Sequence, residues 1–132
     1  MTLPITGFAH IGIRVHDLDR SRAFYESLGW DFVAGPIGPE PVALLHHTAG
    51  LEINLILNSD SADATNILMD VPQKHPGLTH IAIFVASIDD TKARLAELGI
   101  PLSGEATFPG GVRAVFVRDP DRNVLEFDER PA

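Results

Sequence analysis

The sequence contains no cysteine among its 132 residues. This absence excludes disulfide bonds, thiolate nucleophiles and cysteine-ligated zinc sites, so any bound metal must be held by His, Asp or Glu side chains. Cations are also few, since ten Lys and Arg stand against eighteen Asp and Glu, which gives a formal net charge of −8. An acidic chain whose cations are scattered repels a phosphate backbone, so we expect no nucleic-acid partner.

Long apolar runs are missing as well. No segment approaches the roughly 20 apolar residues that a membrane span needs, and residues 1–7 lack the basic start and apolar stretch of a secretory signal. We therefore expect no membrane partner and a cytoplasmic location. With 45% hydrophobic and 21% charged residues, the composition is typical of a folded protein, and the chain length predicts one domain over residues 1–132.

What the sequence does contain is a repeat of itself, displaced by 70 residues. The motif HIGIRV at residues 10–15 aligns with HIAIFV at residues 80–85, and Gly29 aligns with Gly99 without a gap. Such self-similarity indicates two copies of one structural unit. We predict module one at about 7–57 and module two at about 78–128. The linker of about 58–77 carries an apolar patch at residues 67–69 and one predicted helical turn.

Each module is predicted to follow the order βαβββ. The first apolar run of each copy alternates with the period of a half-buried strand. Helix start signals follow at Asp17 or Asp19, and at Ser87 with Asp90, while Gly29 and Gly99 suit helix C-termini. The predicted helices are 18–28 and 88–98, and the further strands are 31–34, 42–46, 51–57, 102–103, 112–118 and 124–128. The predicted fold class is α+β.

Four metal-competent residues stand at matching places in the two copies. His10 and His80 are equivalent in the repeat, and the triplets at 51–53 and 125–127 place Glu52 and Glu126 each between two large apolar residues. A carboxylate flanked this way is costly to bury unless it is paired or binds a cation. One such residue alone is more often structural, but four matched ones predict a site for one divalent ion: Ni, Zn, Co, Mn or Fe.

The other histidines have no equivalent in the second copy. These are His16, His46, His47 and His75, which we interpret as surface or loop residues, with His47 an outside candidate for the site.

Taken together, the motifs HIGIRV, LEINL, HIAIFV and DPDRNVLEF resemble the vicinal oxygen chelate superfamily, also called the glyoxalase/bleomycin resistance/dioxygenase superfamily. The resemblance runs from about Gly7 to Asp128. It implies two paired βαβββ modules whose curved mixed sheets enclose a metal cleft. Within the superfamily, the set of His10, Glu52, His80 and Glu126 most resembles glyoxalase I, lactoylglutathione lyase.

The resemblance implies a lyase or isomerase reaction. The hemithioacetal of a 2-oxoaldehyde and a thiol would become a 2-hydroxyacyl thioester through an enediolate, with Glu126 as the implied base and Glu52 as the alternate. Arg14 matches a family arginine that holds a glutathione carboxylate.

The thiol itself stays open. The family has an asparagine four residues after the first glutamate, and this sequence has Ile56 there. The substrate is therefore a glutathione adduct or another thiol adduct, with Asn54 and Arg113 as further predicted contacts.

Three other functions remain in the same superfamily. An extradiol-type dioxygenase would keep His10, His80 and Glu126 as a facial triad. An epimerase would act on another substrate with vicinal oxygens, and a non-catalytic drug-binding protein would need no metal. The resemblance also implies a homodimer whose metal sites take ligands from both subunits.

Overall fold

The computed structural model describes residues 2–60 and 62–132. Met1 and Ser61, the second of which falls in the predicted linker, lie outside the described residues. The chain divides into two compact units, residues 1–62 and residues 63–132. We describe each unit by itself.

Unit 1 has the predicted order βαβββ. Its elements are β1 (Ile11–Arg14), α1 (Leu18–Ser27), β2 (Asp31–Ile37), β3 (Val42–His47) and β4 (Leu51–Ile56). The strands form one sheet in the order β1-β4-β3-β2. Strand β1 runs parallel to β4, and the other two pairings are antiparallel. The sheet is therefore mixed, with β1 at one edge.

Unit 2 repeats this plan. Its elements are β5 (His80–Phe84), α2 (Ile88–Glu97), β6 (Gly104–Thr107), β7 (Arg113–Arg118) and β8 (Val124–Glu129). The strand order is β5-β8-β7-β6, again with one parallel pair, β5 with β8. The predicted fold class and the βαβββ order of both copies are confirmed.

The helix signals in the sequence are confirmed in detail. Of the two predicted caps for α1, it is Asp17 whose carboxylate accepts the Arg20 amide at 2.8 Å, and the Ser87 hydroxyl accepts the Asp90 amide at 3.1 Å. Gly29 and Gly99 follow the helices with φ of 105° and 72°. A positive φ costs glycine little, so both residues turn the chain out of the helix and into the next segment.

One predicted strand is wrong. The prediction placed it at residues 102–103, whereas β6 comprises Gly104–Thr107. Gly, Glu and Ala have low intrinsic strand propensity, so the sequence gave little local signal. Pairing with β7 determines the strand instead, from Gly104 opposite Phe116 to Thr107 opposite Arg113.

Each sheet buries one face against its own helix. In unit 1 the core consists of Ile13, Val15, Tyr25, Trp30, Ala43, Leu45, Ile53 and Leu55. In unit 2 it includes Ile88, Leu95, Val115, Val117, Leu125 and Phe127. Because side chains alternate along a strand, the intervening residues lie on the opposite face. We call this opposite face of each sheet its open face, and it carries most of the candidate site residues.

The linker forms one turn that is tied to unit 2. The Asn66 carbonyl accepts the Asp70 amide at 2.8 Å. The Asp70 carboxylate then accepts hydrogen bonds from both terminal nitrogens of Arg118 at 2.8 Å and from Arg122 Nε at 3.0 Å. These bonds lower the pKa of Asp70 from 3.8 to about 2. The two guanidinium groups therefore anchor the linker to the β7–β8 hairpin.

Among the described residues, no helix is long and apolar enough to cross a membrane.

We expect the Asp70→Asn variant to lower the free energy of unfolding at pH 7 by about 1–3 kcal/mol, because two guanidinium groups lose their anionic partner. The pKa of Asp70 lies below its unfolded value, so this stabilisation is present above pH 4 and is lost as the pH falls toward about 2. Urea unfolding at several pH values measures the difference. The control is Glu97→Gln, which removes an exposed ion pair with Arg94 and should change stability by less than about 0.5 kcal/mol. Equal effects of the two substitutions would contradict the anchoring role of Asp70.

Candidate functional site

The open face of unit 2 brings a histidine and a glutamate together. His80 opens β5, and Glu126 lies on the adjacent parallel strand β8, opposite Ala82. His80 Nε2 is 3.2 Å from Glu126 Oε1. On its other side, His80 Nδ1 is 2.8 Å from the Thr79 hydroxyl. The imidazole is therefore oriented at both nitrogens, with Nε2 directed toward the carboxylate.

Glu126 lies in an unusual electrostatic environment. Its side chain is only 8% exposed, although it lies on the open face. Burial raises the pKa of Glu126 from 4.5 to about 7, and a hydrogen bond to Asp128 and the charge of Asp128 add to the shift. Asp128 is two residues further along β8, so it lies on the same face. Glu126 can therefore exchange a proton near neutral pH.

The donor chemistry of this pair suits a divalent ion. Zinc binds imidazole nitrogen and carboxylate oxygen at about 2.0–2.2 Å, which puts two ligands of a tetrahedral ion roughly 3.4 Å apart. The distance of 3.2 Å between His80 and Glu126 is close to this value. In addition, Asp128 Oδ1 is buried without a hydrogen-bond partner among the described residues. His80 and Glu126 thus offer two donors at a spacing that suits a cation.

No group of three or more His, Asp or Glu side chains that could hold a metal occurs within residues 2–60 and 62–132. Of the four predicted ligands, His10 and Glu52 belong to unit 1, and His80 and Glu126 belong to unit 2. Two of them, His80 and Glu126, are in contact in unit 2.

The open face of unit 1 carries the corresponding histidine. His10 is exposed and directly precedes β1. Since Ile13 is buried, the alternation places Arg14 on the open face of β1, and Glu52 and Asn54 on the same face of β4. Glu52 is already engaged, because its carboxylate contacts Nδ1 of His46 on β3.

The strand registers correct one equivalence between the copies. The sequence alignment matched Glu52 with Glu126. In the parallel pairs, however, Gly12 lies opposite Asn54, while Ala82 lies opposite Glu126. Since residues 12 and 82 are equivalent in the repeat, Asn54 occupies the position of Glu126. The alignment of the two Leu-Glu-apolar triplets is shifted by two residues, because module two is two residues longer than module one between its first and last strands.

The predicted substrate contact Arg14 lies at the rim of the open face of unit 1. Its side chain is 62% exposed. Arg14 Nε donates to Asn58 Oδ1 at 3.0 Å, and a terminal nitrogen is 3.8 Å from Glu40 Oε1. The guanidinium group is held in place, yet it remains accessible to an anion.

The second predicted arginine contact lies elsewhere. Arg113 donates to Asp89 at 2.9 Å, near the start of α2. This hydrogen bond, together with the charge of each partner, lowers the pKa of Asp89 and raises the pKa of Arg113. Because Val115 and Val117 are buried against the helix, the alternation along β7 puts Arg113 on the helix side. It does not share the open face with Glu126.

Sequence reasoning missed three neighbours of the site. His46 was interpreted as a surface or loop residue, but it is half-buried on β3, where alternation with the buried Leu45 could have placed it on the open face. Thr79 and Asp128 have no equivalent polar residue in module one, where Ala9 and Ile56 stand. A search for repeated residues therefore could not find them.

The chain has clear structural relatives. Residues 7–127 match the family described as the Glyoxalase/Bleomycin resistance protein/Dioxygenase superfamily. A glyoxylase/bleomycin resistance protein/dioxygenase domain from Frankia sp. EAN1pec is similar, with a TM-score of 0.78 and 26% identity, over 96% of this chain and 99% of that one. No curated protein matches the chain.

Two further solved structures are similar at lower identity. Lactoylglutathione lyase from Agrobacterium tumefaciens has a TM-score of 0.70 and 23% identity, with 96% of each chain covered. A variant of the fosfomycin resistance protein FosX from Listeria monocytogenes, in complex with Mn(II) and 1S,2S-dihydroxypropylphosphonic acid, has a TM-score of 0.72 and 19% identity, over 96% of this chain and 94% of that one. At these identities the likeness shows the fold alone.

The match over residues 7–127 covers nearly the whole chain, and the structure has the two βαβββ units that the motifs predicted. The chain therefore belongs to the Glyoxalase/Bleomycin resistance protein/Dioxygenase superfamily.

Proposed function

We propose that this chain is a metal-dependent lyase of the glyoxalase I type, which converts the hemithioacetal of a 2-oxoaldehyde and a thiol into a 2-hydroxyacyl thioester. The observation that carries the proposal is the contact between His80 and Glu126, in which a metal-competent imidazole adjoins a carboxyl group with a pKa of about 7. Such a carboxyl group suits proton transfer at neutral pH, since a base works best when its pKa lies near the working pH.

The proposed metal ligands are those predicted from the sequence. His10, His80 and Glu126 each offer one donor, and β4 of unit 1 offers the fourth, which the sequence assigned to Glu52. When bound, the divalent ion would supply Lewis acidity to the two neighbouring oxygens of the substrate. We also propose the homodimer, with ligands from both subunits, because symmetric dimers are the commonest oligomers.

Glu126 is the proposed base. Its carboxylate would remove the proton from the hydroxyl-bearing carbon and return a proton to the neighbouring carbon, so that an enediolate forms between the two steps. The reaction needs no redox cofactor, because the aldehyde carbon is oxidised as its neighbour is reduced. Glu52, the alternate base in the sequence prediction, is less suited to this role because its carboxylate is held by His46.

Arg14 is the proposed contact for an anionic group on the thiol. Its guanidinium fork is accessible and suits a carboxylate. Asn58, which holds Arg14, lies four residues after Asn54. If the family spacing of four residues is counted from Asn54 and not from Glu52, Asn58 falls at the position of the family asparagine. This supports a glutathione adduct, or an adduct of another thiol that carries a carboxylate.

The direct test starts with protein purified without a metal-affinity tag. Bound metals are quantified by mass spectrometry, and the same sample is assayed for thioester formation from methylglyoxal and glutathione with added Ni, Zn, Co, Mn or Fe. We expect metal-dependent thioester formation, and we expect Glu126→Gln to lower kcat at least about 100-fold through loss of the base. Metal binding without turnover for any thiol adduct would contradict the lyase. Full turnover in Glu126→Gln would remove Glu126 as the base.

The raised pKa of Glu126 also predicts how stability depends on pH in the metal-free protein. The folded value of about 7 exceeds the unfolded value of 4.5, so the folded state holds an extra proton between these two pH values. The contribution is complete below pH 4.5 and is lost as the pH rises through 7, which amounts to about 3 kcal/mol at most. Denaturant unfolding with a chelator present should show this decline in the wild type and not in Glu126→Gln. Parallel pH profiles of the two proteins would contradict the shift.

For Arg14→Ala we expect KM for the hemithioacetal to rise about tenfold while kcat changes less than about threefold, because a contact made equally to substrate and transition state is lost. Steady-state kinetics separates the two constants. The matched control is Arg94→Ala on α2, which removes an exposed arginine from the helix side of the other unit. An unchanged KM in Arg14→Ala would assign Arg14 to the rim without a substrate role.

One observation favours a second candidate, an extradiol-type dioxygenase. With Glu52 engaged by His46, the remaining donors His10, His80 and Glu126 form the two-histidine, one-carboxylate set of non-haem Fe(II) oxygenases. Oxygen uptake by the anaerobically Fe(II)-loaded protein with catechols tests this alternative. Uptake with Fe(II), together with no thioester formation, would favour the dioxygenase over the lyase.

A further inference from the structure

Both strand neighbours of β4 support the equivalence of Asn54 with Glu126. Besides the parallel pairing with β1, the antiparallel register puts Leu44 opposite Asn54 in unit 1 and Phe116 opposite Glu126 in unit 2. Phe116 lies 72 residues after Leu44, and Glu126 lies 72 residues after Asn54, so the two pairs correspond. The equivalence of Asn54 and Glu126 is therefore a property of the whole sheet and not of one local pairing.

A backbone hydrogen bond gives the same displacement independently. The Val15 amide donates to the Ile56 carbonyl at 2.9 Å, and the Val85 amide donates to the Asp128 carbonyl at 2.8 Å. These bonds make Ile56 the equivalent of Asp128. By the same displacement the equivalent of Glu52 is Val124, an apolar residue that binds no metal.

The side chain of Glu52 has its own partner. On β3, His46 lies directly opposite Glu52, and their side chains form a contact between Nδ1 and a carboxylate oxygen. Asp31 on β2 lies opposite His46 in turn. The side chain of Glu52 is therefore directed toward β3 and away from β1, the strand that follows His10.

We propose that the donor from β4 of unit 1 is the side-chain amide oxygen of Asn54, and that Glu52 with His46 forms a separate pair outside the coordination sphere. The inference rests on the proposed metal-dependent function. In unit 2 the histidine lies two residues before the partner of Glu126, and the two side chains meet at 3.2 Å. In unit 1 the same relation holds between His10 and Asn54, because His10 lies two residues before Gly12, the partner of Asn54.

The amide changes the charge of the site. Two histidines, one glutamate and one asparagine would leave a divalent ion with one uncompensated positive charge, whereas two glutamates would neutralise it. An amide oxygen is also a weaker donor to a cation than a carboxylate. The site would therefore favour a substrate whose two vicinal oxygens carry a negative charge, such as a hydroxamate or an enediolate.

The test compares metal affinities, which do not depend on turnover. Co²⁺ is titrated into each metal-free variant in competition with a chelator, and far-UV circular dichroism checks that the variant is folded. We expect Asn54→Leu to weaken Co²⁺ binding at least about tenfold, and the isosteric Asn54→Asp to strengthen it about tenfold. Glu52→Gln should change it less than about threefold, because His46 accommodates the amide.

A matched control separates ligation from general charge. Thr48→Asp adds the same charge in the exposed turn between β3 and β4, and we expect it to change Co²⁺ affinity less than about threefold, since an exposed charge is screened. A loss of affinity in Glu52→Gln that equals or exceeds the loss in Asn54→Leu would overturn the inference, as would the absence of Co²⁺ binding by the wild type. If the affinities follow the expected order and no thioester forms, the lyase function fails and the Asn54 assignment stands.

Discussion

The parallel pairing of β5 with β8 is the contact on which the site depends. Along each strand, alternate side chains point to opposite faces of the sheet. Two paired strands that alternate in phase therefore bring side chains from both strands together on one face. The pairing sets His80 beside Glu126 while Leu125 and Phe127 are buried against α2 on the other face. Glu126 is itself buried on the open face. This burial, with Asp128 beside it, raises the pKa of its carboxyl group to about 7.

The two units use the same backbone plan for different chemistry. In unit 2 a buried carboxyl group, supported by Asp128, lies against an imidazole held by Thr79. In unit 1 the equivalent position holds the neutral Asn54, and the carboxylate of the β4 strand is paired with His46. Duplication therefore preserved the strand geometry and the leading histidine of each copy. The residues around them differ: unit 2 has a carboxyl group with a raised pKa, and unit 1 has an arginine held at the rim of its open face.

The sequence predicted the fold well because its signals were local and repeated. Alternating apolar residues, the caps at Asp17 and Ser87, and the glycines after the helices each dictate backbone geometry by themselves. The strand β6 was predicted two residues too early, since its pairing with β7 and not its own propensity determines it. Arg113 lies on the helix side because it alternates in phase with the buried Val115 and Val117, so in this case the strand pattern itself carried the signal.

The strand register at the candidate site could not be predicted from the sequence. Two similar triplets, one around Glu52 and one around Glu126, suggested an equivalence, and no local rule could show that module two is longer by two residues. A shift of two keeps each side chain on its face, so the alternation gave no warning. Only the pairing with β1 and β3 separates Asn54 from Glu52.

The proposal that the leading histidine of each copy binds one divalent ion is tested most directly by X-ray absorption of the Zn²⁺-loaded protein. The extended fine structure counts imidazole ligands through the scattering of their outer ring atoms. The account predicts two imidazoles and oxygen donors around each ion, and one imidazole in His10→Ala or His80→Ala. An ion with no imidazole, or a spectrum that is unchanged by both substitutions, would contradict it.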